Sequence, residues 1–239
     1  MKVNEMYQLA PSVYAADYLH LQQQMAVMKR AGIRQLHIDI MDGIFVPNLS
    51  FGPDFVAAIR EATDFFLDVH LMIEEPLRFV RAFSEAGADG ITVHWEACGN
   101  LGRTLEAVRS LGRQAGIALN PGTQIETLTG RAVDPIIWEL ADRLQLMTVA
   151  PGLKGQTFLN DSAGRITQAR RLLRKIGREI PIEVDGDITP ANLGRVLEAG
   201  AGIIVAGKGL FSGSLEMNIG AYRAIMEREM KQRTAEKAV

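Results

Sequence analysis

The chain has 239 residues, 47% hydrophobic and 23% charged, with a formal net charge of −2 at pH 7. That composition is ordinary for a globular protein and gives no electrostatic reason to expect nucleic acid or an anionic membrane as partner. One cysteine, no run of the roughly 18 apolar residues a membrane helix needs, and no apolar leader before Tyr7 make a cytoplasmic chain without disulfides the expectation.

Strand-length apolar runs alternate with segments of helical spacing. Residues 7–13 read as a first strand ending at Pro11-Ser12. Residues 17–31 carry Leu21, Met25 and Met28 at helical spacing and stop at Gly32. Residues 34–41 form the second strand, and 53–62 a helix with Pro53 in its first turn. The third strand is 65–72, followed by a helix over 76–86. The fourth is 90–94, followed by a helix over 101–114. The fifth is 116–119, and broken helical pieces span 125–140. The sixth strand is 144–149, the seventh 181–184 and the eighth 203–206. Helices over 161–176, 190–198 and 217–231 follow them in turn, with a polar tail from about residue 232. Eight strands alternating with eight helical segments imply parallel pairing with right-handed crossovers. The expected fold is α/β, a single-domain (β/α)8 barrel over residues 1–239, with a doubly wound open sheet as the alternative.

In such a barrel the chemistry sits where strands end. Alternation along the second strand puts His37 and Asp39 on one face, about 7 Å apart, and Leu36, Ile38 and Ile40 on the other. The third strand carries Asp68, His70 and Met72, the fourth His94 and Glu96, and the seventh Glu183 and Asp185. Three of the four histidines therefore lie at strand ends, His20 being the exception. His37, Asp39, His70 and Asp185 could supply two imidazole nitrogens and two carboxylate oxygens to a divalent transition metal such as zinc. The same two carboxylates could act as acid and base. The plainer alternative for Asp185 is that it caps a turn at Asp185-Gly186.

The later loops have the composition of anion cradles. Pro151-Gly-Leu-Lys-Gly-Gln156 follows strand six, Asp185-Gly-Asp-Ile-Thr-Pro190 strand seven and Gly207-Lys-Gly209 strand eight. Glycine lets backbone N–H groups approach an anion, and loops after strands seven and eight form the recurring phosphate site of these barrels. Gly152, Leu153, Gly155, Gly186, Asp187 and Gly207 are thus candidate ligand contacts, with Lys154 and Lys208 adding charge.

Leu36-His-Ile-Asp-Ile-Met-Asp-Gly-Ile-Phe-Val-Pro-Asn48 closely resembles the signature of the ribulose-phosphate 3-epimerase family. So do Ala10-Pro-Ser-Val13, Asp68-Val-His-Leu-Met72, Ile91-Thr-Val-His94, Asn120-Pro-Gly-Thr123, Met147-Thr-Val149 with Pro151-Gly152, and Ile182-Glu-Val-Asp-Gly186. The motifs occur in family order over nearly the whole chain. The resemblance implies a metal-dependent enzyme that inverts the hydroxyl-bearing carbon next to a ketose carbonyl. It implies one divalent metal per chain, with zinc expected before iron, manganese or cobalt, held by His37, Asp39, His70 and Asp185. Asp39 and Asp185 would be the acid–base pair on opposite faces of the substrate. Ser12 and His70 would touch the substrate, and Met41, Met72 and Met147 would pack on the flat enediolate. The expected partners are a small sugar phosphate and further copies of the chain.

The departures lie in the phosphate loops. The family usually reads Asn-Pro-Gly-Phe-Gly-Gly-Gln where this chain has Ala150-Pro-Gly-Leu-Lys-Gly-Gln156. It usually has a second glycine at Asp187 and Gly-Ser at Gly207-Lys208. A carboxylate beside a phosphate is repulsive. Either Asp187 pairs with Lys208 or Lys154, or the site is tuned to another ligand, such as allulose 6-phosphate. The segment 130–135 also looks longer than the family norm. Barrel decarboxylases and lyases carry an Asp-x-Lys-x-x-Asp pattern that Asp39-Ile-Met-Asp42 lacks. A non-catalytic sugar-phosphate-binding barrel is the alternative from a different class.

Overall fold

In the computed structural model, which describes residues 7–130, 133–153 and 155–236, the eight expected strands all form. They are β1 (Gln8–Pro11), β2 (Gln35–Met41), β3 (Phe66–Met72), β4 (Gly90–His94), β5 (Gln114–Leu119), β6 (Arg143–Met147), β7 (Ile182–Asp185) and β8 (Ile203–Ala206). All pairings are parallel, in the order β1-β8-β7-β6-β5-β4-β3-β2. A parallel bridge between Ser12 and His37 joins the two ends of that order and closes the barrel. The chain is therefore a (β/α)8 barrel, not an open doubly wound sheet.

The helices are α1 (Leu21–Arg30), α2 (Pro53–Ala62), α3 (Val80–Glu85), α4 (Leu101–Ser110), α5 (Ile136–Leu140), α6 (Ser162–Lys175), α7 (Pro190–Ala199), α8 (Lys208–Phe211) and α9 (Leu215–Glu236). The helix expected over 76–86 splits into a 3-10 turn, Pro76–Arg78, and α3, and three others differ from the sequence reading for identifiable reasons. The start of the first helix is a separate turn, Tyr18–His20. Asp17 accepts Leu19 N–H at 3.1 Å and holds His20 Nδ1 at 2.7 Å, which leaves His20 off helical geometry. The fourth helix stops at Ser110 because Gly112 takes a positive φ of 72° and hands the chain to β5. The last helix runs through the expected polar tail. Arg233 docks there, donating to Leu197 O and, at 2.9 Å, to Glu198 O, with its guanidinium 5.9 Å from the Tyr7 ring.

The apolar alternates of each strand point outward under the helices. Leu36, Ile38, Leu67, Val69, Ile91, Val93, Leu144, Leu146, Ile182 and Val184 are fully buried there with the helix faces, including Val56, Leu105, Ile166 and Val196. The main hydrophobic core is thus a ring between sheet and helices. The barrel's inside is different. Branched aliphatic layers normally fill it; here Asp68, His70, Thr92, His94, Gln145 and Glu183 are all buried. A small group, Ala10, Ile203 and Val205, fills the β1–β8 side. The face that carries His37 and Asp39 is therefore the barrel interior.

Gly116 on β5 makes room for this interior. A Cβ there would come within 2.9 Å of Arg143 Cγ and closer still to the Thr92 hydroxyl. Gly116→Ala is expected to cost about 1–3 kcal/mol through overpacking, read as a lower urea midpoint at unchanged slope.

Candidate active site

Strand register brings the four expected ligand residues together. β2 carries His37 and Asp39 inward, and Asp39 is registered beside His70 on β3. Asp185 ends β7. Asp39 Oδ1 lies 3.2 Å from His37 Nε2 and 3.2 Å from His70 Nδ1. Asp185 Oδ2 lies 3.7 and 3.6 Å from the same nitrogens. The four donor atoms all fall within 4.8 Å of one another.

This cluster fits a divalent cation. Among the described residues, buried His37 Nε2 has no hydrogen-bond partner of good geometry although two carboxylates stand close, an orphan that a cation would satisfy. Two imidazoles and two carboxylates suit a transition metal. The local field favours positive charge as well. Against the downward push of burial, the neighbouring Asp39, Asp185 and Asp68 carboxylates raise His37 well above the usual imidazole range. Against the upward push of burial, His37 and His70 hold Asp39 far below the usual carboxylate range.

Beneath the cluster lies a charged network. Asp68 Oδ2 sits 2.9 Å from His37 Nδ1, and Arg143 Nη1 lies 3.0 Å from Asp68 Oδ1 and 3.3 Å from Glu183 Oε2. All four side chains are 3% exposed or less. An ionised Asp68 can only accept, so His37 Nδ1 donates and Nε2 presents to the cluster. Arg143 and His37 hold Asp68 far below its usual range although burial pushes it up. Burial and the Asp68 carboxylate push Glu183 upward. Sequence reasoning passed over Arg143 and Gln145. The signal was available: they alternate with Leu144 and Leu146 on β6, which puts them on the same inward face as Met147.

Above the cluster opens a cavity of about 690 Å³ at the C-terminal end of the strands. Ser12, Asp39 and Asp185 line its floor, and Met41, Met72 and Met147 its wall. His70 is fully buried below the floor. Ser12 Oγ donates to Asp39 Oδ2 at 2.6 Å, so this side chain aims the carboxylate as well as facing the cavity. Met41 and Met72 pack with Val46, backed by Tyr14 and Phe45. A second cavity of about 470 Å³ lies at the strands' N-terminal ends, near Gln8, Gln35 and Gln114, and is lined by no such cluster among the described residues.

The far end of the main cavity is formed by Gly152, Leu153, Gly155, Gly186, Asp187, Gly207 and Lys208; Lys154 lies outside the described residues. A Cβ on Gly152 would press into Val46, and Gly186 takes φ 128°. Asp187 follows at φ 50°, in the left-handed region. The expected pairing of Asp187 with Lys208 does not form. Asp187 Oδ2 instead accepts Phe158 N–H at 3.2 Å, and Asn192 Nδ2 donates to Asp187 O at 2.9 Å. Lys208 opens α8, a one-turn helix where the sequence suggested only a loop.

With this geometry, the model of the ribulose-phosphate 3 epimerase family matches residues 8–211. The chain belongs to that family. Its members act on carbohydrates as epimerases, and curated relatives span most of the chain. The ribulose-phosphate 3-epimerase of Bacillus subtilis (strain 168) is 40% identical over 210 residues, covering 87% of this chain and 94% of that protein. That of Chlamydia muridarum is 44% identical over 205 residues, covering 85% and 87%. The chloroplastic ribulose-5-phosphate-3-epimerase of Arabidopsis thaliana is 40% identical over 205 residues, covering 85% and 71%. Among solved structures, 3-keto-L-gulonate-6-phosphate decarboxylase from Vibrio cholerae superposes with a TM-score of 0.64 at 16% identity, covering 93% of this chain and 98% of that one. At that identity the likeness concerns the fold alone.

The buried network makes a stability prediction for this epimerase-family chain. Arg143→Met leaves Asp68 and Glu183 facing each other without their cation, which is expected to cost about 3–5 kcal/mol at pH 7. Because the folded state depresses Asp68, its stabilising share is present above the ordinary carboxylate range and lost as pH falls. The deficit should therefore narrow below about pH 4 when denaturant midpoints of both proteins are compared across pH.

Proposed function

We propose that the chain is a metal-dependent 3-epimerase of a ketose phosphate, of the type that interconverts D-ribulose 5-phosphate and D-xylulose 5-phosphate. One observation carries the reading: Asp39 and Asp185 both approach the paired His37 and His70 nitrogens from strands separated by β1 and β8, at the floor of a cavity of ligand size. The names of the curated relatives support the substrate class.

His37, Asp39, His70 and Asp185 would hold the metal, with zinc the best match to their nitrogen and oxygen donors and iron, manganese or cobalt the alternatives. When bound, a divalent cation supplies the charge that stabilises oxyanions next to the reacting carbon. The chain's own residues do the proton transfer. One carboxylate takes the proton α to the ketone from one face, giving a planar cis-enediolate. The other returns a proton to the opposite face, and the configuration inverts. The roles exchange in the reverse reaction. The Ser12 hydroxyl keeps Asp39 aimed into the cavity. Met41, Met72 and Met147 present soft, apolar surface to the flat intermediate and exclude water from it. A cytoplasmic, reducing setting is consistent with Cys98 as a free thiol.

Asp39→Asn and Asp185→Asn should each lower turnover by about 10²–10⁴-fold, the usual weight of general acid–base catalysis. Metal content is measured in parallel. In deuterated water, a variant that keeps its metal should still exchange the α-proton of one epimer while failing to produce the other. Asp185→Asn with full metal and normal turnover overturns the two-carboxylate mechanism.

A narrower reading concerns the sugar. Asp187 and Lys208 both line the far end of the cavity without pairing, the Asp187 carboxylate accepting Phe158 N–H instead. This favours a site tuned to a different sugar phosphate, such as allulose 6-phosphate, or to a ligand whose anionic end differs, over a non-catalytic barrel, which would not need the complete His and Asp set. Across a panel of ketose phosphates, Asp187→Gly should lower KM for the pentulose phosphate and Lys208→Ser should raise KM for every phosphorylated substrate. Unchanged KM values in both variants would make the two charges bystanders.

A further inference from the structure

Behind His70 the site continues as a string of polar groups outside the cavity, from the buried His94 out to Glu96 at the surface. His70 Nε2 lies 2.8 Å from His94 Nε2, and the two rings stack with centroids 5.0 Å apart and planes 24° apart. His94 Nδ1 lies 3.3 Å from Glu96 Oε2. Glu96 Oε1 accepts Asn120 N–H at 2.8 Å and the Thr123 hydroxyl. His94 ends β4 with no exposure, and Glu96 sits in the single 3-10 turn, Trp95–Ala97, that follows.

Each contact in the string permits only one arrangement of protons. An ionised Glu96 can only accept, and its other oxygen already does so twice. His94 must therefore carry its proton on Nδ1. That leaves His94 Nε2 an acceptor, and at 2.8 Å it needs a donor from His70 Nε2. With its proton on Nε2, His70 turns the Nδ1 lone pair toward Asp39 and Asp185. Gln145 Nε2 lies 3.1 Å from His70 Nδ1 and 3.3 Å from His70 Nε2, with Asp185 Oδ2 3.4 Å away; as a donor it can share the Nδ1 lone pair but cannot take the Nε2 proton.

We infer that His94 and Glu96 are positioning residues for His70, the Glu96–His94 string fixing the tautomer in which His70 Nδ1 faces the cation. The inference rests on the proposed metal centre. It gives the two histidine ligands opposite polarity: His37 faces the centre through Nε2 with Asp68 behind it, and His70 through Nδ1 with His94 behind it. Outer partners of this kind set ligand orientation and basicity. Glu96 is in turn held by the loop after β5, which Arg165 clamps through Asn120 O at 2.8 Å and Thr123 O at 3.0 Å.

The test uses the zinc-loaded chain and reads affinity and protons, not turnover. Long-range nitrogen–proton spectra of the histidines should place the His94 proton on Nδ1 and leave its Nε2 bare. Glu96→Gln must turn a donor either toward His94 Nδ1–H or toward the Asn120 and Thr123 donors. It should weaken zinc binding by about 10- to 100-fold in chelator competition, without a matching fall in thermal stability. His94→Phe should weaken it similarly, and His94→Gln, whose amide oxygen can accept from His70, should restore most of the loss. A His94 proton on Nε2 overturns the inference, as does wild-type zinc affinity in both Glu96→Gln and His94→Phe. Should His94→Phe fail to fold, Glu96→Gln and the wild-type spectra decide alone. Absence of zinc uptake by the wild-type chain overturns the metal centre and this inference together; normal wild-type uptake with unaltered variants overturns only the string.

Discussion

Everything at this site depends on keeping charge inside a closed barrel. Asp68, Glu183, Arg143 and His37 are withdrawn from water, where an isolated ion would cost several kcal/mol. They are tolerated because each faces a counter-charge or a matching hydrogen-bond partner. Arg143 is the hub, with one nitrogen on both carboxylates and another 2.8 Å from Gln114 Oε1. The network sets the angle of His37 and hence the position of the donor atoms above it. Its residues come from β2, β3, β6 and β7, so the strand register has to be right before any of it can form.

The fold was legible in the sequence because two periodicities alternate along most of it, the broken stretch over 125–140 excepted. Strands such as Gly90–His94 and Ile203–Ala206 are bounded by glycine or alanine-glycine steps, and Pro53 marks the start of its helix. What was not legible came from tertiary contacts. Nothing in the polar composition after residue 232 announces that Arg233 will dock on the end of α7 and extend the last helix. The one-turn helix at Lys208 is likewise too short to carry a periodic signal.

The candidate site was legible for a different reason. His37, Asp39, His70 and Asp185 are polar residues at places where apolar ones would be expected in a buried strand, and such mismatches between local and global preference gather at functional sites. Arg143 and Gln145 belong to the same class. A strand start placed one residue late hid the alternation that would have included Arg143. The relation between Asp187 and Lys208 could not be read at all. Opposite charges in adjacent loops suggest a pair, but the left-handed backbone at Asp187 turns its carboxylate onto Phe158 N–H.

The ring-shaped core separates two kinds of position along every strand. The residues that hold the fold together lie outside the barrel wall, among the helices, while the chemistry lies within it. Inward residues can then differ from barrel to barrel while the outward set maintains a scaffold. A decarboxylase with 16% identity shares this fold over 93% of the molecule. Innovation in such a barrel is an interior renovation that leaves the supporting walls standing.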